Sequence, residues 1–268
     1  MTTINKLISK DLVRGLPTKS FRDNQVCGTC IQGKQVRSSF KPNLTISTTK
    51  PLELLHMDLC GPMRVQSRGG KRYVFVIVDD YSRFTWTLFL ATKDETFTMF
   101  DVFEKLVQKK FNKEIISIRS DHGLEFENSQ FLQFCTTNGI EHNFSAPRTP
   151  QQNGVVERKN RTLEDIARTM LISSKLPKFY WAEAVNTGCY LINRCMIRSV
   201  LNKTPYELLK GRKPNLAHLR AFGCVCFIHN NDKDNLGKFD AKSDEGIFLG
   251  YSSQSKAYKV LNKRTNRV

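Results

Sequence analysis

The chain has 268 residues, of which 40% are hydrophobic and 25% are charged. This composition is typical of a globular protein and excludes a disordered or low-complexity chain. The uninterrupted apolar runs are far shorter than the roughly 20 residues of a membrane-spanning helix, and the first ten residues lack the apolar core of a secretory signal. We therefore expect an intracellular protein of one large or two smaller domains, with no membrane partner.

The net charge of +17 is unevenly distributed along the chain. Residues 1–50 carry nine basic and two acidic side chains, residues 145–215 carry thirteen and five, and residues 51–144 carry eleven and thirteen. Basic segments bind nucleic-acid phosphates because binding releases condensed counterions. The basic flanks predict DNA or RNA as a partner, and a merely soluble basic protein is the alternative.

The first 50 residues are basic and contain Cys27 and Cys30, whose spacing is that of metal ligands. A tetrahedral zinc site needs four ligands, and the first histidine of the chain is His56. We therefore expect no stable zinc site here. The Pro-bounded, hydroxyl-rich run 41–51 is typical of a linker.

Strand-like and helix-like segments alternate between residues 52 and 195. The predicted strands are 52–59, 73–78, 85–90, 115–120 and 140–144, and the predicted helices are 93–111, 128–138, 155–174 and a segment from Pro177 to about Cys195. The first three strands predict an antiparallel meander, and the strand after the first helix predicts a crossover with parallel pairing. The sequence thus favours an α/β fold with helices packed on a sheet.

The segment after Pro214 has a different pattern, with short strands separated by turns. Strands are predicted at 222–229, 245–251 and 258–261. We expect a second, small β-rich unit there.

Three carboxylates occupy positions that suit metal chemistry: Asp58 on the first strand, Asp121 just after the fourth and Glu157 in the first turn of a long helix. Each also has an ordinary explanation, namely a strand-end turn, an Asx turn and a solvated helix residue. Carboxylates that converge repel one another unless a cation neutralises them, and Mg²⁺ suits such oxygen ligands.

The spacing of these carboxylates and the sequence motifs around them resemble one known family. Asp121 and Glu157 are separated by 35 residues, and the words that carry the resemblance are Val-Asp79-Asp-Tyr-Ser-Arg83, Ser-Asp121-His-Gly-Leu-Glu-Phe126, Thr149-Pro-Gln-Gln-Asn-Gly154 and Glu157-Arg-Lys-Asn-Arg-Thr-Leu163. They are similar to the integrase of copia-type (Pseudoviridae) LTR retrotransposons, which is part of a Pol polyprotein.

The resemblance implies a fold and three regions. Residues 48–213 would form a catalytic core of ribonuclease H-like fold with a mixed five-stranded sheet, and residues 214–268 would form a small SH3-like β-barrel. Residues 1–45 would be a truncated remnant of a zinc-binding (GAG-pre-integrase) segment. Cys27 and Cys30 match half of its metal site, but both histidine ligands are missing, so Zn²⁺ is not expected.

The resemblance also implies an activity and its residues. Asp58, Asp121 and Glu157 would be catalytic and would hold two Mg²⁺ or Mn²⁺ ions, with Asp58 bridging them, for DNA 3′-end processing and strand transfer in the nucleus. The partners would be element ends and target DNA, and the complete protein would form a homo-oligomer. The expected DNA contacts are Gln152, Asn153, Arg158, Lys159 and Arg161.

Two other hypotheses fit the same sequence. The chain could be a non-catalytic nucleic-acid-binding remnant, or a domesticated, transposon-derived protein kept for protein interaction. Arg161 could instead pair within its helix with Glu157 or Glu164, four and three residues away.

Overall fold

The computed structural model describes residues 2–17, 19, 28–34, 48–145, 153–230, 238–239, 241–252 and 255–268. Its elements in chain order are α1 Thr2–Ser9, α2 Gly28–Lys34, β1 Leu54–Cys60, β2 Tyr73–Asp79, β3 Thr85–Leu90, α3 Glu95–Phe111, β4 Ser117–Ser120, α4 Ser129–Asn138, β5 Glu141–Phe144, α5 Gly154–Ser174, a 3₁₀ turn Lys178–Tyr180, α6 Trp181–Cys195, α7 Pro205–Lys210, β6 Val225–His229, β7 Ser243–Tyr251 and β8 Tyr258–Asn262. None of the described helices is long and apolar enough to cross a membrane.

The central sheet has five strands in the order β3-β2-β1-β4-β5. β1, β2 and β3 form an antiparallel meander, whereas β4 runs parallel to both β1 and β5. The predicted mixed five-stranded sheet and its crossover are therefore confirmed. Because β1 and β4 are parallel neighbours, their carboxyl ends meet at one edge of the sheet.

The two faces of the sheet are covered by different helices. Alternation along β2 sends Phe75 and Ile77 to one face, where they pack with α3 and α4, and sends Val74, Val76 and Val78 to the other, where they pack with α5 and α6. Strands buried on both faces read as nearly continuous apolar runs, as β2 does. The core is therefore a three-layer α/β/α arrangement.

Local capping explains where several helices begin and end. The Asn128 side chain accepts a hydrogen bond from the Phe131 amide at the start of α4, and Gly139 closes that helix with φ of 64°. Thr204 caps α7 in the same way by accepting from the Glu207 amide, and Pro205 occupies its first turn. An N-cap of this kind stabilises a helix by about 1 kcal/mol.

The described C-terminal strands form a three-stranded antiparallel sheet in the order β6-β7-β8. This sheet is compatible with the expected SH3-like β unit, but over the described residues it is open, with β6 and β8 as its edges, and does not close into a barrel. The small sheet packs on α6, where the Thr187 hydroxyl donates to the Leu249 carbonyl at 2.9 Å. Gly250, with φ of 140°, leaves room for this contact, since a Cβ there would collide with the Thr187 hydroxyl.

The described part of the N-terminal segment packs against the chain near residue 215. Leu7, Leu12 and Val13 pack with Leu216, and the backbone of Arg14 exchanges hydrogen bonds with residues 214 and 216. Cys27 lies outside the described residues, as does the side chain of Cys30. The region boundaries at 45, 48 and 213 remain predictions.

Candidate active site

Asp58 lies near the end of β1, where it is half-buried beside α5. One carboxylate oxygen accepts from the Leu59 amide at 3.0 Å, and the other accepts from the Asn160 side-chain amide at 2.6 Å. Burial and the negative charges of Asp121 and Glu157 raise the pKa of Asp58 to about 6, against the opposing effect of these hydrogen bonds. A carboxylate that has no basic partner among the described residues is therefore held at the carboxyl end of this strand.

Asp121 follows the last residue of β4 and lies half-buried at the same edge of the sheet. Its Oδ1 accepts from the Gly123 amide at 3.1 Å, so the Asx turn weighed from the sequence is present. The preceding Ser120 is buried, and its hydroxyl lies 2.9 Å from His142 Nε2. The turn fixes one oxygen of Asp121 and leaves the other without a hydrogen bond from a described residue.

Glu157 is exposed in the first turn of α5. Asn160 and Arg161 lie three and four residues later on the same flank of the helix. Because the Asn160 amide donates to Asp58, this flank also brings Glu157 near Asp58. Arg161 is exposed and forms no ion pair with any described residue, which leaves the predicted pairing with Glu157 or Glu164 without support.

The three predicted metal ligands are close enough to influence one another electrostatically. Asp58 experiences the charges of both Asp121 and Glu157. Over the described ranges, however, no three Asp, Glu, His or Cys side chains are grouped tightly enough to hold a metal ion. Glu157 is the exposed member, and it follows the undescribed residues 146–152. The catalytic and metal-binding roles of Asp58, Asp121 and Glu157 thus remain predictions.

The predicted DNA contacts fall into separate places. Gln152 lies outside the described residues. Asn153 is only 2% exposed, so a direct contact with DNA would require its side chain to turn outward. Lys159 lies on the side of α5 opposite Glu157, where burial, reinforced by the charge of Arg83, lowers the pKa of Lys159 to about 8. Arg158 and Lys159 line one pocket, and Arg161 is not among its lining residues.

A second acidic pair lies at the opposite end of the β1–β2 pairing. Asp79 is buried and accepts from the Leu52 and Ser82 amides, both at 2.7 Å. Asp79 thus caps the turn after β2. Its bond to Leu52 also ties the start of β1 to the end of β2.

The neighbouring Asp80 belongs to a buried polar network that the sequence interpretation missed. Its carboxylate is bonded by His56 at 2.9 Å, Arg83 at 2.6 Å and Thr48 at 2.8 Å. Burial alone would raise the pKa of Asp80, but the hydrogen bond from His56 and the charge of Arg83 hold it well below its ordinary value. The available signal was His56 itself, a polar residue at an inward position of a buried strand.

His122 follows Asp121. Its contacts with described residues are all structural ones. It lies 3.0 Å from Glu127 and stacks on the ring of Phe144.

Two family models match the chain. Residues 48–150 match the integrase core domain, and residues 224–268 match the retroviral polymerase SH3-like domain. Asp58 and Asp121 lie within the first match, whereas Glu157 lies beyond its end.

Two curated relatives are retrovirus-related Pol polyproteins of plants. The chain is 40% identical over 244 residues to that from transposon TNT 1-94 of Nicotiana tabacum, covering 90% of this chain and 18% of the relative. It is 34% identical over 242 residues to that from transposon RE1 of Arabidopsis thaliana, covering 90% of this chain and 16% of the relative. The chain therefore spans less than a fifth of the length of the curated relatives that it matches.

A solved structure has a similar fold. It is the cryo-EM structure of the simian T-cell lymphotropic virus intasome in complex with PP2A regulatory subunit B56 gamma, with a TM-score of 0.51 and 15% identity over 88% of this chain and 84% of that chain. At this identity the likeness concerns the fold alone. Residues 48–150 are thus similar to an integrase core domain and residues 224–268 to a retroviral polymerase SH3-like domain, and most of the chain is similar to part of the Pol polyproteins of plant transposons.

Proposed function

We propose that the chain processes DNA 3′ ends and transfers them into target DNA, as the integrase part of a copia-type retrotransposon. The observation that carries the proposal is the meeting of Asp58 and Asp121 at one sheet edge, with the charge of Glu157 within electrostatic reach of Asp58. Both aspartates belong to the stretch that matches the integrase core domain, which supports the same reaction class.

Asp58, Asp121 and Glu157 would hold Mg²⁺ or Mn²⁺. The donor set fits these ions because carboxylate oxygens are the hard ligands that they prefer. The raised pKa of Asp58 supports the fit, since an added cation would offset the crowding of negative charge around this half-buried group. When bound, a pair of divalent cations would activate the attacking oxygen and stabilise the charge on the leaving oxygen.

The neighbouring side chains would position the carboxylates and the substrate. Asn160 donates to Oδ2 of Asp58, which fixes the orientation of that carboxylate. Arg161, exposed on the same flank as Glu157, would contact a phosphate of the reacting strand. Gln152, close to the start of α5, would contact the ends of the element DNA.

The partners that follow from this function are element DNA, target DNA and further copies of the chain, with the nucleus as the place of action. The basic flanks support the DNA partners, because residues 145–215 carry thirteen basic and five acidic side chains.

A strand-transfer assay tests the proposal. Joining of an end-sequence oligonucleotide to plasmid DNA is measured with Mg²⁺, with Mn²⁺ and with chelator. We expect joining that needs the metal, and we expect Asp121→Asn to reduce it by more than about 100-fold, since even outer-shell partners of a metal site cost 10–100-fold when removed. The matched control is Asp101→Asn, which removes a carboxylate from α3 that pairs only with Lys105 among the described residues.

Two results would contradict the proposal: joining that persists in chelator, or equal joining by Asp121→Asn and the control. DNA binding without any joining by the wild type would instead favour the non-catalytic nucleic-acid-binding remnant.

A further inference from the structure

A small cationic pocket lies between α5 and the turn that joins β2 to β3. It is lined by Arg83, Val155, Arg158, Lys159 and Thr162 and has a volume of about 180 Å³. Three of these five residues are basic and none is acidic, and the volume leaves room for a tetrahedral anion with some water. The pocket therefore has the charge and the size of an anion site.

The basic groups of this cationic pocket are only partly neutralised. Arg83 donates one bond to Asp80 at 2.6 Å, which fixes its guanidinium at the mouth of the turn. Arg158 and Lys159 make no ion pair with any carboxylate in the described part of the chain. An anion that entered the pocket would offset the mutual repulsion of three cations at a place that is partly shielded from water.

The pocket is separate from the carboxylates of the candidate active site. Consecutive residues of an α-helix are about 100° apart around its axis, so Lys159 lies on the side of α5 opposite Glu157, whereas Asn160 and Arg161 lie on the side of Glu157. Arg158 lies between the two sides, three residues before Arg161, and lines the pocket together with Val155, Lys159 and Thr162.

The backbone at the start of α5 adds a second feature. A Cβ on Gly154 would lie 3.3 Å from a guanidinium nitrogen of Arg158. The Arg158 guanidinium therefore folds back over the first turn of the helix, where free backbone amides and the helix dipole already favour a negative charge.

We propose that the cationic pocket binds a phosphodiester group of a DNA strand that crosses the start of α5, at a position distinct from the reacting phosphate. The inference rests on the proposed function, because it takes DNA as the substrate. It divides the basic residues of the first two turns of α5 into two groups, with Arg161 at the reacting phosphate and Arg158 and Lys159 at a second one.

The salt dependence of DNA binding tests this inference. Binding of a fluorescent duplex is measured by anisotropy in chelator, from about 50 to about 200 mM salt. The variant Arg158→Gln/Lys159→Met should bind more weakly and should lower the slope of log affinity against log salt by about 1, the value expected for one lost phosphate contact. The control Lys109→Gln/Lys110→Gln removes the same charge from an exposed end of α3 and should leave the slope unchanged.

Thermal unfolding and circular dichroism of each variant establish that it folds. A wild-type slope in the folded pocket variant, or an equal change in the control, would overturn the inference, whereas metal-dependent joining by the wild type would still support the proposed function. If the wild type binds no DNA at all, the proposed function and this inference both fail.

Inorganic phosphate serves as a second probe. We expect it to raise the melting temperature of the wild type more than that of Arg158→Gln/Lys159→Met. If phosphate does so while the DNA slope of the variant is unchanged, the pocket takes free phosphate rather than DNA, and the inference is wrong.

Discussion

The two ends of the β1–β2 pairing carry acidic residues whose pKa values are shifted in opposite directions. At one end, Asp80 is surrounded by His56, Arg83 and Thr48, which hold its pKa well below the ordinary value. At the other end, Asp58 has no basic partner in the part of the chain that the structure describes, and its pKa is raised to about 6. An acidic residue at a strand end is therefore not by itself a sign of a metal site. The presence or absence of cationic partners separates the structural aspartate from the candidate ligand.

Neutralising Asp80, the aspartate with cationic partners, should have the largest effect on the free energy of unfolding. Asp80→Asn removes the charge that Arg83 and His56 contact, and loss of one partner in a buried polar network costs about 3 kcal/mol of unfolding free energy. Urea unfolding at neutral pH measures this loss. A variant of unchanged stability would show that the network is dispensable, and Asp101→Asn is the matched control.

Removing the support of the candidate ligand should have a smaller effect, and on activity rather than on stability. Asn160→Ala removes the amide that bonds Asp58, and we expect about 10–100-fold slower joining with a higher requirement for Mg²⁺. Titration of joining against Mg²⁺ concentration measures both quantities. The control Asn138→Ala alters an exposed amide at the end of α4 and should change neither. A slower rate without any change in the metal requirement would rule out a positioning role for Asn160.

The smallest effect concerns acid stability. The pKa of Asp80 is depressed in the folded chain, so below its ordinary value of 3.8 the unfolded chain binds more protons at this residue than the folded chain does. The stabilisation is fully present above about pH 4 and is lost as the pH falls further. In Asp80→Asn the slope of unfolding free energy against pH between about 4 and 2 should be shallower, by at most about 1.4 kcal/mol per pH unit. Identical slopes in the two proteins would contradict this assignment.

Local signals were sufficient for most elements of the core. The strand patterns, the end of the predicted helix 128–138 and the parallel crossover all match the structure. The helix α7 was not predicted, although Thr204, Pro205 and Gly211 supply an N-cap, an N-terminal proline and a C-terminal glycine. These three residues are therefore local signals from which α7 can be predicted.

Other differences arose from contacts that a sequence does not show. A strand was expected from residue 52, but Leu52 has φ of 71°, and its amide bonds to the buried Asp79. β1 therefore begins two residues later, because a distant carboxylate fixes the turn before it.

The C-terminal strands illustrate the same limit. Cys224 and Cys226 lie in the apolar run of the predicted strand 222–229, but both are half-buried, and Phe227 is exposed. The strand β6 is the edge of an open sheet, and one of its faces has no covering layer among the described residues. An apolar run shows that a strand forms but not how many of its faces are covered.

The order of elements, the sheet type and the three carboxylates of interest were determined by the sequence, because period, capping and motif spacing are local properties of the chain. Which carboxylates have partners was decided only by the tertiary structure. Arg83 and Lys159 are separated by 76 positions along the chain, yet they line one pocket. Thr48 and Asp80 are also distant in sequence, yet the Thr48 hydroxyl donates a hydrogen bond to the Asp80 carboxylate. Burial and charge at a site depend on residues that folding brings from elsewhere, and no local pattern contains that information.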